Sequence, residues 1–270
     1  MSDLTLGAWI EGVGLIAPGL PDWTTAIEIL AGRAPYTPAP SVLPTPALLP
    51  PAERRRASRV ERFALATGLA AVAHAGADAG QLPAVLSAST ADGHNCHTLC
   101  ETLASDDQRV SPTRFHNSLH NTPAGYWGIA TGAMAPSQSL SAYDASFAAG
   151  LLEAIVQAAS GAAPTLLIAY DVEYPEPLHS ARPIPDAAGI GLVLSPVQTP
   201  RSRARIDVAL SDAPATPLAE AALEQLRLAI PALRGLPLLQ LLATGSAGRV
   251  QLEYLAPLSL AVTVTPLARC

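Results

Sequence analysis

The chain has 270 residues, of which 49% are hydrophobic and 14% charged, and its net charge of −6 includes 16 basic residues that are all arginine. This length suffices for one large domain or two fused halves. Mild acidity without an extended basic stripe excludes nucleic acid as the main ligand. The thinly charged surface indicates that a protein partner covers part of it.

Cysteine usage and hydropathy indicate the compartment. Cys96, Cys100 and Cys270 are too few and too unevenly spaced for a disulfide framework, which favours a reducing environment. The amino terminus lacks the basic region and apolar run of a signal peptide, and no apolar run reaches about 18 residues. We therefore predict a cytoplasmic protein without a membrane span.

Hydrophobic periodicity predicts an alternation of strands and helices along the chain. In order, these are a strand at 6–17, a helix at 23–31, a proline-rich loop at 35–51, a helix at 53–79 and a strand at 82–89. After residue 146 they are a helix at 147–159, strands at 165–170, 188–194 and 203–210, a helix at 216–233 capped by Thr216, and strand or hydrophobic segments at 236–244 and 251–264. This order indicates a mixed α/β layered fold.

The helix predicted at 53–79 begins with an arginine cluster. Charge runs of this kind are usually solvated faces, so we interpret the cluster as exposed. A contact with an anion or with a carrier protein is the alternative.

The segment 92–100 contains Cys96, His97 and Cys100. Two thiolates and an imidazole could converge on a tetrahedral zinc ion. No second cysteine pair lies nearby, and in a helix Cys96 and Cys100 would share one face, which we expect to be buried. We therefore predict no metal site and keep these three residues as weak candidates.

A second polar segment precedes the helix predicted at 124–131. It places His116, Asn117, His120 and Asn121 in a loop, where imidazole rings and amides could line a pocket. The alternative is that these side chains satisfy backbone groups of the loop itself.

The segment 135–154 carries the most information. A short alternating run ends at Tyr143 and passes directly into alanine-rich helical sequence, which predicts a strand and a helix joined by a tight elbow with Asp144 at the corner. A side chain at such a corner meets free backbone N–H groups and the positive end of the helix dipole, and many enzymes place a nucleophile there. Aspartate is also a favoured N-cap, which gives Asp144 a purely structural interpretation.

Several stretches together resemble the N-terminal half of the β-ketoacyl synthases. They are the opening Gly12-Val-Gly-Leu-Ile-Ala-Pro18, Arg59-Val-Glu-Arg-Phe63, the segment from Ser111 to Trp127, the elbow region 135–170, and Ala188-Gly-Ile-Gly-Leu-Val-Leu194. The resemblance covers residues 1–200. It implies a thiolase-like layered α/β fold, a mixed β-sheet with helices, with a complete N-terminal half at 1–200 and a truncated C-terminal half at 201–270.

The departures from the family pattern concern its chemistry. The family's nucleophilic cysteine corresponds to Asp144, and if the alignment slips by a few residues toward the helix, Ser146 is the only possible hydroxyl nucleophile. The two active histidines of the family lie in its C-terminal half, whereas no histidine follows His179 here. The resemblance therefore implies an impaired ketosynthase, closest to a chain-length factor, without a cofactor. His116, His120 and Asn117 remain weak catalytic candidates.

The same resemblance implies partners. An active ketosynthase would pair with this chain through the strand at 139–143, with Phe115, His116, Asn117 and Leu119 reaching the partner's pocket. The product would be a fatty-acid-like or polyketide chain, such as an aryl polyene, carried on acyl carrier protein. The alternatives are a degenerate enzyme with residual carrier-protein thioester or decarboxylase chemistry, and a homodimeric scaffold.

Overall fold

The structure is a computed structural model that describes residues 6–267. Its strands are β1 (Leu6–Ile16), β2 (Ala84–Ser87), β3 (Ser137–Leu140), β4 (Thr165–Asp171), β5 (Ala188–Ser195), β6 (Ala204–Ser211), β7 (Gly248–Glu253) and β8 (Ser259–Pro266). Its helices are α1 (Trp23–Leu30), α2 (Pro51–Arg56), α3 (Arg59–Ala75), α4 (Gly93–Ala104), α5 (Pro112–Asn117), α6 (Thr122–Thr131), α7 (Ser146–Gly161), α8 (Leu178–Ala181), α9 (Ala221–Ala229) and α10 (Leu236–Thr244). Short 3-10 turns precede α7 and α10, at Tyr143–Ala145 and Pro231–Gly235.

All these strands join one mixed sheet in the order β3-β2-β4-β5-β1-β6-β8-β7. The strands β3, β2 and β4 run parallel, and every pairing from β4 onwards is antiparallel. Long helices cover both faces, which confirms the mixed α/β layered fold. Because β3 is an outermost strand, one side of its backbone has no strand beside it.

Strand β1 connects the two parts of the sheet. Its first half pairs with β6 and its second half with β5, and the register shifts between Ile10 and Gly12. Helix α3 packs closely over it, since a Cβ at Gly14 would lie only 2.5 Å from the Thr67 carbonyl oxygen. The division of the chain at residue 200 stays a prediction.

Two hydrophobic cores lie on opposite faces of the sheet. One contains α3 and α6, with Phe63 and Trp127 among its buried side chains. The other surrounds α7, whose Phe147 and Leu151 are fully buried between the sheet and the segments that include α9 and α10. Helix α7 is therefore anchored deep in the molecule, and this fixes the position of the elbow at its amino end.

Several predicted boundaries were wrong. The helix expected at 53–79 is interrupted, because Ser58 starts α3 with a capping box formed with Glu61. The helix expected at 216–233 is only α9, capped by Glu220, since the Thr216 hydroxyl instead accepts from the Gln251 N–H on β7. The segment 236–244 is helix α10, consistent with its leucine-rich composition without β-branched residues before its last position, and 251–264 belongs to the β7–β8 hairpin.

The arginine cluster is only partly the solvated face that we predicted. The Arg54 guanidinium donates to the Ala47 and Leu49 carbonyls, so it holds the proline-rich loop. Arg59 pairs with Asp186 at 2.8 Å. These arginines therefore stabilise local structure around α2 and α3.

No helix within residues 6–267 is long and apolar enough to cross a membrane. Cys270 lies outside the described residues.

We expect His74 to weaken the fold in acid. Its Nδ1 accepts from the Val13 N–H at 2.9 Å, and burial, with Arg203 nearby, lowers its pKa from 6.5 to about 4. Because the unfolded chain takes up this proton first, stability falls as the pH drops from about 6.5 to 4. In His74→Gln, whose amide oxygen can still accept from Val13, this loss should shrink by roughly 1–2 kcal/mol, allowing for the ring's partial exposure. Urea unfolding at pH 7 and pH 4.5 measures it; equal pH dependence in both proteins would contradict the assignment.

Candidate functional site

The elbow forms where it was predicted, between β3 and α7. The chain leaves β3 at Leu140, makes the 3-10 turn at Tyr143–Ala145 and enters α7 at Ser146. Tyr143 adopts a left-handed backbone conformation with φ 55°. A bulky residue rarely takes this conformation, and such strain concentrates at functional positions. The strand itself is shorter than expected, because residues 141–143 lie beyond its end.

Asp144 is paired with arginine. Its Oδ1 lies 2.7 Å from Arg182 Nη2, and its Oδ2 lies 3.8 Å from Arg234 Nη2. The N-cap of α7 is Ala145, and no side chain caps the helix. The interpretation of Asp144 as an N-cap is therefore wrong, because the intervening turn directs the carboxylate toward the guanidinium groups.

Arg182 holds both residues at the corner of the elbow. Its guanidinium carbon lies 3.7 Å from the centre of the Tyr143 ring, which is a close cation–π contact. Burial acts to lower the pKa of Arg182, but the hydrogen bond that Arg182 donates to Asp144 and the negative charge of Asp144 together raise that pKa. Arg182 is therefore a cation fixed between a carboxylate and an aromatic ring.

A chain of charges continues from the elbow into the C-terminal part of the molecule. Glu253 on β7 accepts from Arg234 at 2.7 Å and from Arg227 at 2.6 Å, and Arg227 also pairs with Glu224 at 2.8 Å. Burial acts to raise the pKa of Glu253, but Arg227 and Arg234 hold it below its ordinary value. We call this set of paired charges the elbow network; it consists of Asp144, Arg182, Arg234, Glu253, Arg227 and Glu224.

Ser146 is buried, and its hydroxyl holds the turn. The Oγ accepts from the Ala142 N–H at 3.0 Å and donates to the Tyr143 carbonyl at 2.7 Å. Because the hydroxyl already donates to a backbone carbonyl, it stabilises the backbone of the elbow.

The sequence analysis did not predict a buried carboxylate that lies close to the elbow. Asp171, at the end of β4, accepts from the Ser89 N–H at 2.9 Å, the Ser89 hydroxyl at 2.6 Å and the Ala232 N–H at 2.8 Å. Burial raises its pKa to about 6. Ser141 donates to the Ser89 carbonyl, which joins this cluster to the elbow. The available signal was an acid directly after the apolar run Thr165–Tyr170.

The polar segment before α6 is partly helical, since α5 spans Pro112–Asn117, and the expected loop begins only after it. His116 is exposed, whereas Asn117 is buried and donates to the Arg56 carbonyl at 3.0 Å. His120 bonds to the Ala88 backbone, and burial lowers its pKa. Within residues 6–267 no hydrogen bond or ion pair joins these three side chains to Asp144. Exposed Phe115 and Leu119 lie on the same segment.

Cys96, His97 and Cys100 lie on α4. Both cysteines are exposed, so the expectation of a buried face is wrong. His97 lies 3.3 Å from Glu101. Although Cys96 is exposed, the protein around it removes part of the water from its thiol and, with Cys100 beside it, raises the pKa of that thiol, which disfavours the thiolate that a metal needs. The part of the chain that the structure describes contains no group of three or more histidine, cysteine or acidic side chains arranged to hold a metal ion.

Comparison with known families identifies this architecture. The family model for the beta-ketoacyl synthase N-terminal domain matches residues 31–241. The chain belongs to the β-ketoacyl synthase N-terminal-domain family. This family therefore includes a chain in which the elbow residue is an aspartate paired with two arginines.

Solved structures of ketosynthase assemblies share the fold. A chain from the ketosynthase ApeO in complex with its chain length factor ApeC from Xenorhabdus doucetiae aligns with a TM-score of 0.70 and 20% identity, covering 96% of this chain and 99% of that chain. A chain from the ishigamide ketosynthase/chain length factor gives 0.68 and 14%, covering 97% and 99%. A chain from the type II complex AntDE:AntF gives 0.72 and 13%, covering 98% and 100%. A comparison with curated proteins found no match.

Proposed function

We propose that this ketosynthase-family chain is a catalytically impaired subunit that supports a partner ketosynthase during elongation of a fatty-acid or polyketide chain, with aryl polyenes as one product class. The observation that carries the proposal is the elbow itself. The residue at the nucleophile position is Asp144, and its carboxylate is bound to Arg182 at 2.7 Å.

This elbow is unsuited to acyl transfer. A carboxylate nucleophile would form a mixed anhydride, and its negative charge would oppose the oxyanion that a condensing site must stabilise. The Ser146 hydroxyl stabilises the turn, because it donates a hydrogen bond to the Tyr143 carbonyl. Neither group is poised to carry an acyl chain.

The free side of β3 supports a subunit role. Strand β3 is the outer strand at the end of the sheet, and an unpaired strand edge is a template for pairing with a second chain. We place the partner ketosynthase along this edge, with Phe115 and Leu119 facing it. The related AntDE:AntF structure contains an acyl-carrier protein with its ketosynthase, which supports acyl carrier protein as the further partner.

The second candidate function is residual thioester or decarboxylase chemistry. One observation favours it: within the described residues, the buried Nε2 of His120 has no hydrogen-bond partner. Incubation with malonyl carrier protein tests it. Formation of acetyl carrier protein that is lost in His120→Ala would support this candidate over the non-catalytic one.

Co-expression with a complete ketosynthase, one that has the nucleophilic cysteine and both active histidines, tests the main proposal. We expect a stable heterodimer by mass measurement and a change in product chain length relative to the ketosynthase alone. A monomer or homodimer without any effect on chain length would contradict the proposal.

A further inference from the structure

The most strained residue at the elbow is also one of its most exposed. Tyr143 holds φ 55°, and its side chain is 63% exposed although it is large and aromatic. Glycine would take this backbone conformation without strain, so keeping a tyrosine here has a conformational cost. A strained residue of this kind points to a role for its side chain.

The ring is held in place by the molecule itself. Arg182 stacks on its face at 3.7 Å and is fixed in turn by Asp144. From inside the turn, the Ser146 hydroxyl accepts from Ala142 and donates to the Tyr143 carbonyl. The aromatic side chain is thus ordered before any partner arrives, and this lowers the entropic cost of binding through it.

The position of the Tyr143 ring indicates which protein surface it contacts. Tyr143 follows the end of β3 by three residues, and the proposed function assigns the free edge of that strand to the ketosynthase. Tyrosine is enriched among the residues that dominate the energy of protein interfaces. The phenolic tip would be satisfied by an acceptor on the partner.

We infer that Tyr143 is an interface anchor that inserts into an apolar cleft of the partner ketosynthase beside its strand edge. The inference rests on the proposed function and adds one residue with a defined role. In this arrangement Asp144 and Arg182 are positioning residues: they hold the ring in the orientation that the partner receives.

Tyr143→Gly separates anchoring from folding. We expect the Tm of the isolated chain to stay the same or rise, because glycine relieves the strain, while the dissociation constant for the ketosynthase increases roughly 10-fold or more. Calorimetric titration of the purified subunits measures the affinity. The matched control is Val197→Ala, because Val197 is 62% exposed and lies between β5 and β6, away from β3; it should bind within about twofold of wild type.

A second measurement does not depend on the stability of a variant. The photoreactive amino acid p-benzoylphenylalanine in place of Tyr143 should crosslink to the ketosynthase in the assembled complex, and the same group in place of Val197 should not.

The outcomes distinguish the two proposals. Equal binding by wild type and Tyr143→Gly, or a crosslink only between copies of this chain, overturns the anchor and leaves the ketosynthase partnership standing. A Tyr143→Gly chain that loses stability and affinity together, with no crosslink at this position, shows that the ring only supports the elbow. If the wild-type chain binds no ketosynthase, both proposals fail.

Discussion

Ser139→Pro is expected to abolish the complex with a partner ketosynthase while leaving the chain folded. The Pro136 and Leu140 carbonyls accept from Ala84 and Ala88 on the β2 side. Because backbone groups of successive residues in a strand point to opposite sides, the Ser139 N–H faces the free edge. Proline removes that donor and places its ring where a paired strand would lie. We expect the dissociation constant to rise at least about 10-fold, measured by calorimetric titration or analytical ultracentrifugation.

Gln138→Pro is the matched control for this prediction. The Gln138 backbone faces β2, with which it pairs opposite Val85. Proline there should cost about 1–3 kcal/mol of folding stability, because a ladder hydrogen bond is lost and its acceptor on β2 is left without a donor. A complex that survives Ser139→Pro unchanged would show that the partner does not add to the β3 edge.

Local patterns in the sequence were sufficient for much of the fold. The apolar runs of β4 and β5 predicted buried strands within a residue or two of their observed bounds. The change from alternating to alanine-rich sequence around Asp144 predicted the elbow, because periodicity and turn chemistry are properties of neighbouring residues. The fold class followed from the order of these elements.

The environment of the elbow could not be predicted in the same way. Arg182 and Arg234 lie far from Asp144 in the sequence and reach it only through the tertiary fold. The N-cap interpretation of Asp144 was locally reasonable, but attraction to two cations outweighed it. The error at Thr216 has the same origin, since its hydroxyl serves a strand distant in sequence.

The elbow network places opposite charges beside one another at the elbow. The Asp144 carboxylate is 44% exposed and lies against Arg182 and Arg234, whose side chains are only 17% and 12% exposed. Arg234 comes from the turn at Pro231–Gly235 and also pairs with Glu253 on β7. Residues beyond 200 therefore contribute charge compensation to the elbow.

Glu253→Ala is expected to be among the most destabilising single substitutions in the chain. It removes the shared carboxylate of Arg227 and Arg234, whose side chains are only 4% and 12% exposed. Arg227 keeps its pair with Glu224, but Arg234 keeps only the 3.8 Å contact with Asp144, so we expect the free energy of unfolding to fall by about 2–3 kcal/mol in urea titrations.

The size of this loss in the free energy of unfolding should depend on how exposed the paired side chains are. Asp107 pairs with Arg109 at 2.7 Å, close to the distances at Glu253, but both side chains of this pair are well exposed. Asp107→Ala should therefore leave the free energy of unfolding nearly unchanged, because solvent screens an exposed pair. If Glu253→Ala lowers the free energy of unfolding no more than Asp107→Ala does, the elbow network does not stabilise the contact between the C-terminal segment and the elbow.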